Sequence, residues 1–426
     1  MRPLLRRIPI LRYLAACVSP LGSRCTTRFC RVVVATALAA AVLTAIGIGG
    51  TDRGVIRGPR LASVTPPRML HPLGRLEIRL PGVSSISAKR DVVAVAAERP
   101  GKCGKVLLWS PRSRRKSTIP AGCYGNAGYN SIDDLVLAPT LVAWVFGWGD
   151  VNSGSDCLMI RAVSAEKIGR AITRKGHSCN VQYGGNVYGG RTLPAFESVA
   201  NGGTSAAAGK SLTSLEAGAH GIVYSVESYC NALSSCPTAA DVSRHVERSL
   251  LVSAGGAERL IAGRGVRIVS AAANVVAAVR ADSVDVRDLG SRARRKVTDG
   301  PVRAARLGRA KLFILRPRGL LDTYDLRSGQ RVGAQELSTS GNNTPVQLED
   351  ADDVFVVYVS DHQIHVRRTR DQRDVVLALP RKARMLHAQI EPAGLYYSYN
   401  IGGKDALGRV GFVARTPVVA AFTAHG

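Results

Sequence analysis

The sequence predicts an all-β protein: a β-propeller of about seven four-stranded blades, preceded by one N-terminal apolar helix. Three observations carry this expectation. A short Val/Ile/Leu-rich strand recurs along the chain, it returns at near-regular intervals, and a second strand with a polar turn usually follows it. The recurring strand reads VVAVAAE (92–98), LVAWVFG (141–147), IVYSVES (222–228), VVAAVRA (275–281), LFILRP (312–317), VFVVYVS (354–360) and LYYSYN (395–400). The last four begin at 275, 312, 354 and 395. That spacing is close to the ~40–45 residues of a four-stranded blade. No segment carries a long helical stripe.

The second strands read VLLWSPRSRR (106–115), LMIRAVSAEK (158–167), VDVRDLGSR (284–292), LDTYDLRSGQ (321–330) and IHVRRTRDQR (364–373). Asp288 and Asp325 are placed to accept backbone N–H bonds in their turns, and Gly329 to supply a positive φ. Edge-like strands follow at KSTIP (116–120), RLIAG (259–263), RKVTD (295–299) and VVLALP (375–380). Lys, Arg and Pro on such edges resist unwanted pairing. VDVRDLGSR and LDTYDLRSGQ resemble the third-strand-and-turn motif of TolB-like, YVTN-type and WD40-like propeller repeat proteins, exported bacterial ones among them. The resemblance covers roughly residues 73–420. A complete Gly-His…Trp-Asp signature is absent, as is an Asp-box.

Two insertions explain the longer early intervals. Residues 175–211 are Gly-, Ser- and Asn-rich and read as a long loop, with a degraded eighth blade as the alternative. Residues 229–248 interrupt one blade, and Ala239–Arg248 suggests a helical turn or two. Ring closure is expected from RLEIRL (75–80) lying beside GFVAR (411–415).

The predicted organisation is a basic cytoplasmic leader (1–31), an apolar anchor or signal segment (32–50), a linker (51–72) and the propeller (73–426). The run VVVATALAAAVLTAIGIGG carries no charge and just spans a hydrocarbon core of ~30 Å. Seven arginines and no acidic residue precede it, which holds the leader in the cytoplasm and sends the rest across. Two readings stay open: an uncleaved single-span membrane anchor with an extracytoplasmic C-terminal domain, or a signal peptide cut near Ala45–Gly50 to give a secreted chain. Beyond the leader, six of the nine cysteines form close couples: Cys103 with Cys123, Cys157 with Cys179, and Cys230 with Cys236. Sequential disulfides in an oxidising compartment fit this spacing, and zinc binding does not, since C-x-x-C is missing and His177 lacks a partner.

No linear catalytic motif is present. The sequence contains no G-x-S-x-G elbow, no H-E-x-x-H and no phosphate-binding G-x-x-x-x-G-K-[ST] loop. His362 and His365 lie near a predicted turn at Ser360–Gln363, and residues three apart on a strand face opposite ways. Glu349, Asp350, Asp352 and Asp353 lack EF-hand spacing and read as an acidic inter-strand turn. No cofactor and no metal is expected. Trp144 is expected to pack between blades. Trp148, Tyr183 and Tyr188 are the candidate ligand-binding residues, the two tyrosines in a Gly-rich aromatic loop.

The net charge of +27 favours anionic partners. Its arginines are spread along the chain, as a solvated basic surface also would be. Basic runs at 112–116, 292–296 and 367–373 fall at matching turns, so they are expected to ring one face. The function expected is a non-catalytic binding or scaffold module for a protein or cell-envelope polymer, with polyanion contact through these turns and no sequence-specific nucleic-acid recognition. The alternative is a propeller enzyme, a lyase, lactonase or glycan hydrolase, with its site assembled at the central channel.

Overall fold

A computed structural model describes residues 68–423, apart from 72–75, 99–102, 123–128, 150–153, 164–185, 189–190, 194–208, 230–244, 254–257, 338–344 and 403–406. The compact unit is Pro66–Gly426. Apart from one short hairpin, its strands form seven sheets, antiparallel but for one added edge strand, set around an axis with the first strand of each innermost. The innermost strands are Val83–Lys89, Tyr129–Leu137, Gly209–Ala217, Arg267–Ala272, Ala304–Leu307, Gln347–Ala351 and Ala383–Glu391, here numbered blades 1 to 7. Each touches the next, and the seventh touches the first. The fold is therefore a seven-bladed β-propeller.

The second strand of each blade is covered on both sides, which explains its unbroken apolar run. In Val92–Ala97 every residue is buried. Seven hydrophobic clusters fill the seven gaps between neighbouring blades. Trp144 lies between blades 1 and 2, fully buried, and its indole N–H donates to the Ala121 carbonyl at 2.8 Å. Dispersion and apolar burial thus act between blades, while the backbone strand ladders act within them.

Both ends of the domain meet in the last two blades. Leu76–Leu80 pairs antiparallel with Leu407–Ala414, Leu76 opposite Phe412, so blade 7 takes its outer strand from the start of the domain. Glu77 on that strand accepts hydrogen bonds from the hydroxyls of Tyr397 and Tyr399, at 3.2 and 3.1 Å. Gly411 gives Tyr397 its place, since a Cβ there would stand 2.2 Å from the Tyr397 ring. Inside the stretch expected to be linker, Arg68–Leu70 forms a strand, pairing parallel with Asp374–Leu377 as a fifth strand on blade 6.

The structure departs from expectation in four further places. Blade 2 has three paired strands among the described residues. The 175–211 insertion contains a short hairpin, Asn186–Tyr188 with Arg191–Leu193, and its end already belongs to the inner strand of blade 3. Residues 245–248, expected in a helical turn, begin the strand His245–Ser253, because pairing with Gly221–Tyr229 outweighs local helical preference. A terminal helix, α1 (Arg415–Thr423), was not anticipated. It buries Val418 and Phe422 against blades 6 and 7, and Arg415 bonds Asp352 at 2.6 Å. Residues 32–50 lie outside the described residues, among which no helix is long and apolar enough to cross a membrane.

Candidate functional site: the central channel and the turn faces

The inner strands of all seven blades line one cavity of about 530 Å³, the central channel. Each inner strand has a free edge there, whose N–H groups must find acceptors. Side chains of the preceding blade supply them. Ser87 accepts from Leu137 N–H at 2.9 Å, Ser225 from Ile268 N–H at 3.0 Å, and Ser270 from Leu307 N–H at 3.0 Å. Asp350 accepts from Ile390 N–H at 2.9 Å, and Gln389 accepts from Ala88 N–H. Asn400 closes the ring, accepting from Val83 N–H at 2.9 Å and donating to its carbonyl at 2.8 Å. Between blades 5 and 6 the polarity reverses, and Arg306 Nε donates to the Glu349 carbonyl at 2.7 Å.

The wall is rich in carboxylates: Asp134, Glu216, Glu349, Asp350 and Glu391. Lys89 pairs with Glu391 at 3.3 Å, and His387 approaches Glu349 at 3.5 Å. Burial pushes both Glu216 and Asp350 up to about 7. The Arg306 charge opposes the rise in both cases, and for Glu216 the neighbouring Asp350 and Asp134 add to it. Both side chains border the channel yet have protein packed around them, so water reaches them without solvating them freely. Among the described residues, no group of three or more His, Cys, Asp or Glu side chains has the arrangement of a metal site.

Alternation of the strands sorts the turns. Those joining first to second and third to fourth strands open on one face; the other turns and the blade-to-blade connections open on the opposite face. The three basic runs lie in third-to-fourth turns of blades 1, 4 and 6 and so share a face. Asp288 and Asp325 organise two of these turns. Asp288 accepts from Gly290 and Ser291 N–H at 2.9 and 2.7 Å, and Asp325 from Ser328 N–H at 2.7 Å. These bonds hold both carboxyls below the usual range. Gly329 has φ +75°, as its turn requires. Arg114 and Arg292 take the same left-handed conformation, at φ 56° and 62°, in blades 1 and 4.

The acidic run at 349–353 divides. Glu349 and Asp350 face the channel, whereas Asp352 and Asp353 shape the turn. The predicted hairpin stands, with Ser360 opposite Gln363 and Asp361 and His362 at positive φ between them. His365 is buried, stacks on Tyr358 at 4.7 Å, and has neither ring nitrogen hydrogen-bonded to a side chain. It occupies the third position of its strand, where blades 4 and 5 carry Asp285 and Asp322. Asp285 pairs with Arg294 at 2.7 Å, and Asp322 with Arg316 at 2.9 Å. In blade 6 the acid has moved to the facing strand, where Asp374 pairs with Arg367.

The candidate ligand residues are placed only in part. Trp148 lies on the strand Leu141–Gly149 and Tyr188 on the short strand Asn186–Tyr188, while Tyr183 falls outside the described residues. Cys103 is disulfide-bonded. Cys123, Cys179, Cys230 and Cys236 fall outside the described residues, and Cys157 lies on the strand Gly154–Ala162. The channel carboxylates escaped sequence reasoning as a group, because they come from four different blades. Only their position near the ends of inner strands links them.

No protein-family model and no curated protein matches the sequence. Solved structures do match, 1081 chains of them. One is a chain of the "Crystal Structure of Mitotic Checkpoint Complex", 12% identical, with a TM-score of 0.45, covering 86% of this chain and 98% of that chain. A likeness that distant says nothing about what this protein binds. The class rests on the topology above: a seven-bladed propeller, a fold that typically serves as a binding or scaffold module.

Proposed function

We propose that the chain is a non-catalytic extracytoplasmic propeller that binds or scaffolds a protein or cell-envelope ligand. It is held at the membrane by residues 32–50, or released by cleavage there. One observation carries the non-catalytic reading: several of the polar side chains on and beside the channel wall are committed to joining blades. Ser87, Ser270, Asp350, Gln389 and Asn400 each hold the backbone of a neighbouring blade. Groups fixed in this way give the fold its rigidity and leave recognition to the turns and to the aromatic loop around Tyr183 and Tyr188. The pairing of Gly104 opposite Gly122 supports a Cys103–Cys123 disulfide, since each glycine is the chain neighbour of one of the two cysteines.

Protease added to intact cells tests the location. Digestion of the propeller, with Cys103 joined to Cys123 in non-reducing peptide maps, is the expected result. A protected domain with free thiols overturns the extracytoplasmic assignment. A second reading has one observation in its favour: Glu216 and Asp350, both pushed up to about 7, face the same channel and can exchange protons near neutrality. Turnover of a lactone or glycan that Glu216→Gln abolishes would establish it.

A further inference from the structure

We infer that the face bearing the third-to-fourth turns docks a linear phosphate-bearing polymer along the arc of blades 4, 5 and 6, with blade 1 as a further contact. This rests on the binding-module reading and names the ligand class. Arg292 and Arg327 project from third-to-fourth turns of blades 4 and 5, Arg309 from the first-to-second turn of blade 5, and Arg370 from blade 6. All four are exposed, and none forms an ion pair among the described residues. The turn acids nearby are occupied: Asp288 and Asp325 with backbone N–H groups, Asp371 with Arg368 and Arg373. The face therefore keeps its positive charge, and that charge is set out at blade intervals along a curve. A repeating anion matches such spacing.

The backbone adds an independent observation. Arg114 and Arg292 occupy the left-handed position that glycine takes in the equivalent turn of blade 5. A non-glycine residue there costs on the order of 1 kcal/mol. Folding alone favours glycine at those positions, so the guanidinium is kept against local conformational preference. The described residues of this face favour a soluble polymer over a lipid surface. Among them, the large exposed apolar side chains in turns or helix are Val354 and, on the helix that continues from the third strand of blade 7, Val419, and a membrane-docking face needs more than that to insert.

The test measures binding of fluorescent long-chain polyphosphate to the full-length protein across a salt series. Wild type is expected to bind with a steep salt dependence. Arg114→Gly/Arg292→Gly should weaken binding by about tenfold and flatten the slope by about 1 to 2, since two phosphate contacts are lost. The thermal midpoint should hold or rise, because glycine fits those turns. Arg318→Gly is the matched control: Arg318 is also exposed at positive φ (62°), but in a second-to-third turn on the opposite face. It should leave binding unchanged. Salt-insensitive binding, equal losses in the double variant and in Arg318→Gly, or tighter binding to phosphatidylglycerol vesicles or duplex DNA than to polyphosphate each overturns the proposal. None of these results bears on the module reading, which the protease and turnover experiments decide separately.

Discussion

On the channel wall, Asp134, Glu216, Glu349, Asp350 and Glu391 stand among Lys89, Arg267, Arg303 and Arg306; on the turn face, Arg114, Arg292, Arg309, Arg327 and Arg370 form no ion pair among the described residues. A chain of net charge +27 thus nearly balances its charges on the wall and leaves them unbalanced on these turns. The difference follows from what each region must satisfy. The wall presents unpaired backbone N–H groups, which need acceptors, and carboxylates are acceptors. The turns present their edges to water, where a guanidinium costs little. The Asp350 carboxylate on the wall thus serves the fold, while base on the face is free to serve recognition.

The largest expected effect tests the wall. Asp350→Ala strands the Ile390 N–H and should destabilise the domain by about 2 kcal/mol, read as a lower urea midpoint, with Asp350→Asn losing less because it keeps an acceptor. An unchanged midpoint would break the comparison at its root. Next come two pH effects of opposite sign. The folded state keeps a proton on Glu216 up to about 7, while the unfolded carboxyl releases it near its ordinary value of 4.5. Stability from this site therefore falls as pH rises from 4.5 through 7, and Glu216→Gln should flatten thermal midpoints over that window.

His365 works the other way. Burial holds its pKa below 6.5, so the unfolded state takes up a proton first and stability is lost as pH falls below 6.5. His365→Phe keeps an aromatic ring on Tyr358 and should raise the midpoint at pH 5 relative to wild type, with little change at pH 8. The smallest effect belongs to the face. Arg292→Gly should shift stability by a few tenths of a kcal/mol at most, in the stabilising direction, by differential scanning calorimetry. A clear loss would mean that the face too is structural.

Much of the ring was legible in the sequence, because a second strand buried on both sides writes an unbroken apolar run such as VVAVAA. The Asp288 and Asp325 turns were legible because Asx chemistry is local. The closing strand Leu76–Leu80 was readable for a different reason, as an alternating segment with no partner nearby. Helix α1 was not, since its few buried residues, Val418 and Phe422, follow a strand without a break. The channel cluster was invisible for a deeper reason. Glu216, Arg306 and Asp350 meet only after three blades have stacked, and no linear spacing encodes that meeting. The acidic run 349–353 shows the limit well: read as one turn, it splits between wall and turn because the strand ends at Ala351.

The closing strand also sets a timetable. Leu76–Leu80 leaves the ribosome well before its partner Leu407–Ala414, which lies at the far end of the domain. Until then the first strand has no mate, and the ring stays an open arc with an unpaired edge at each end. Pairings this distant in sequence form slowly.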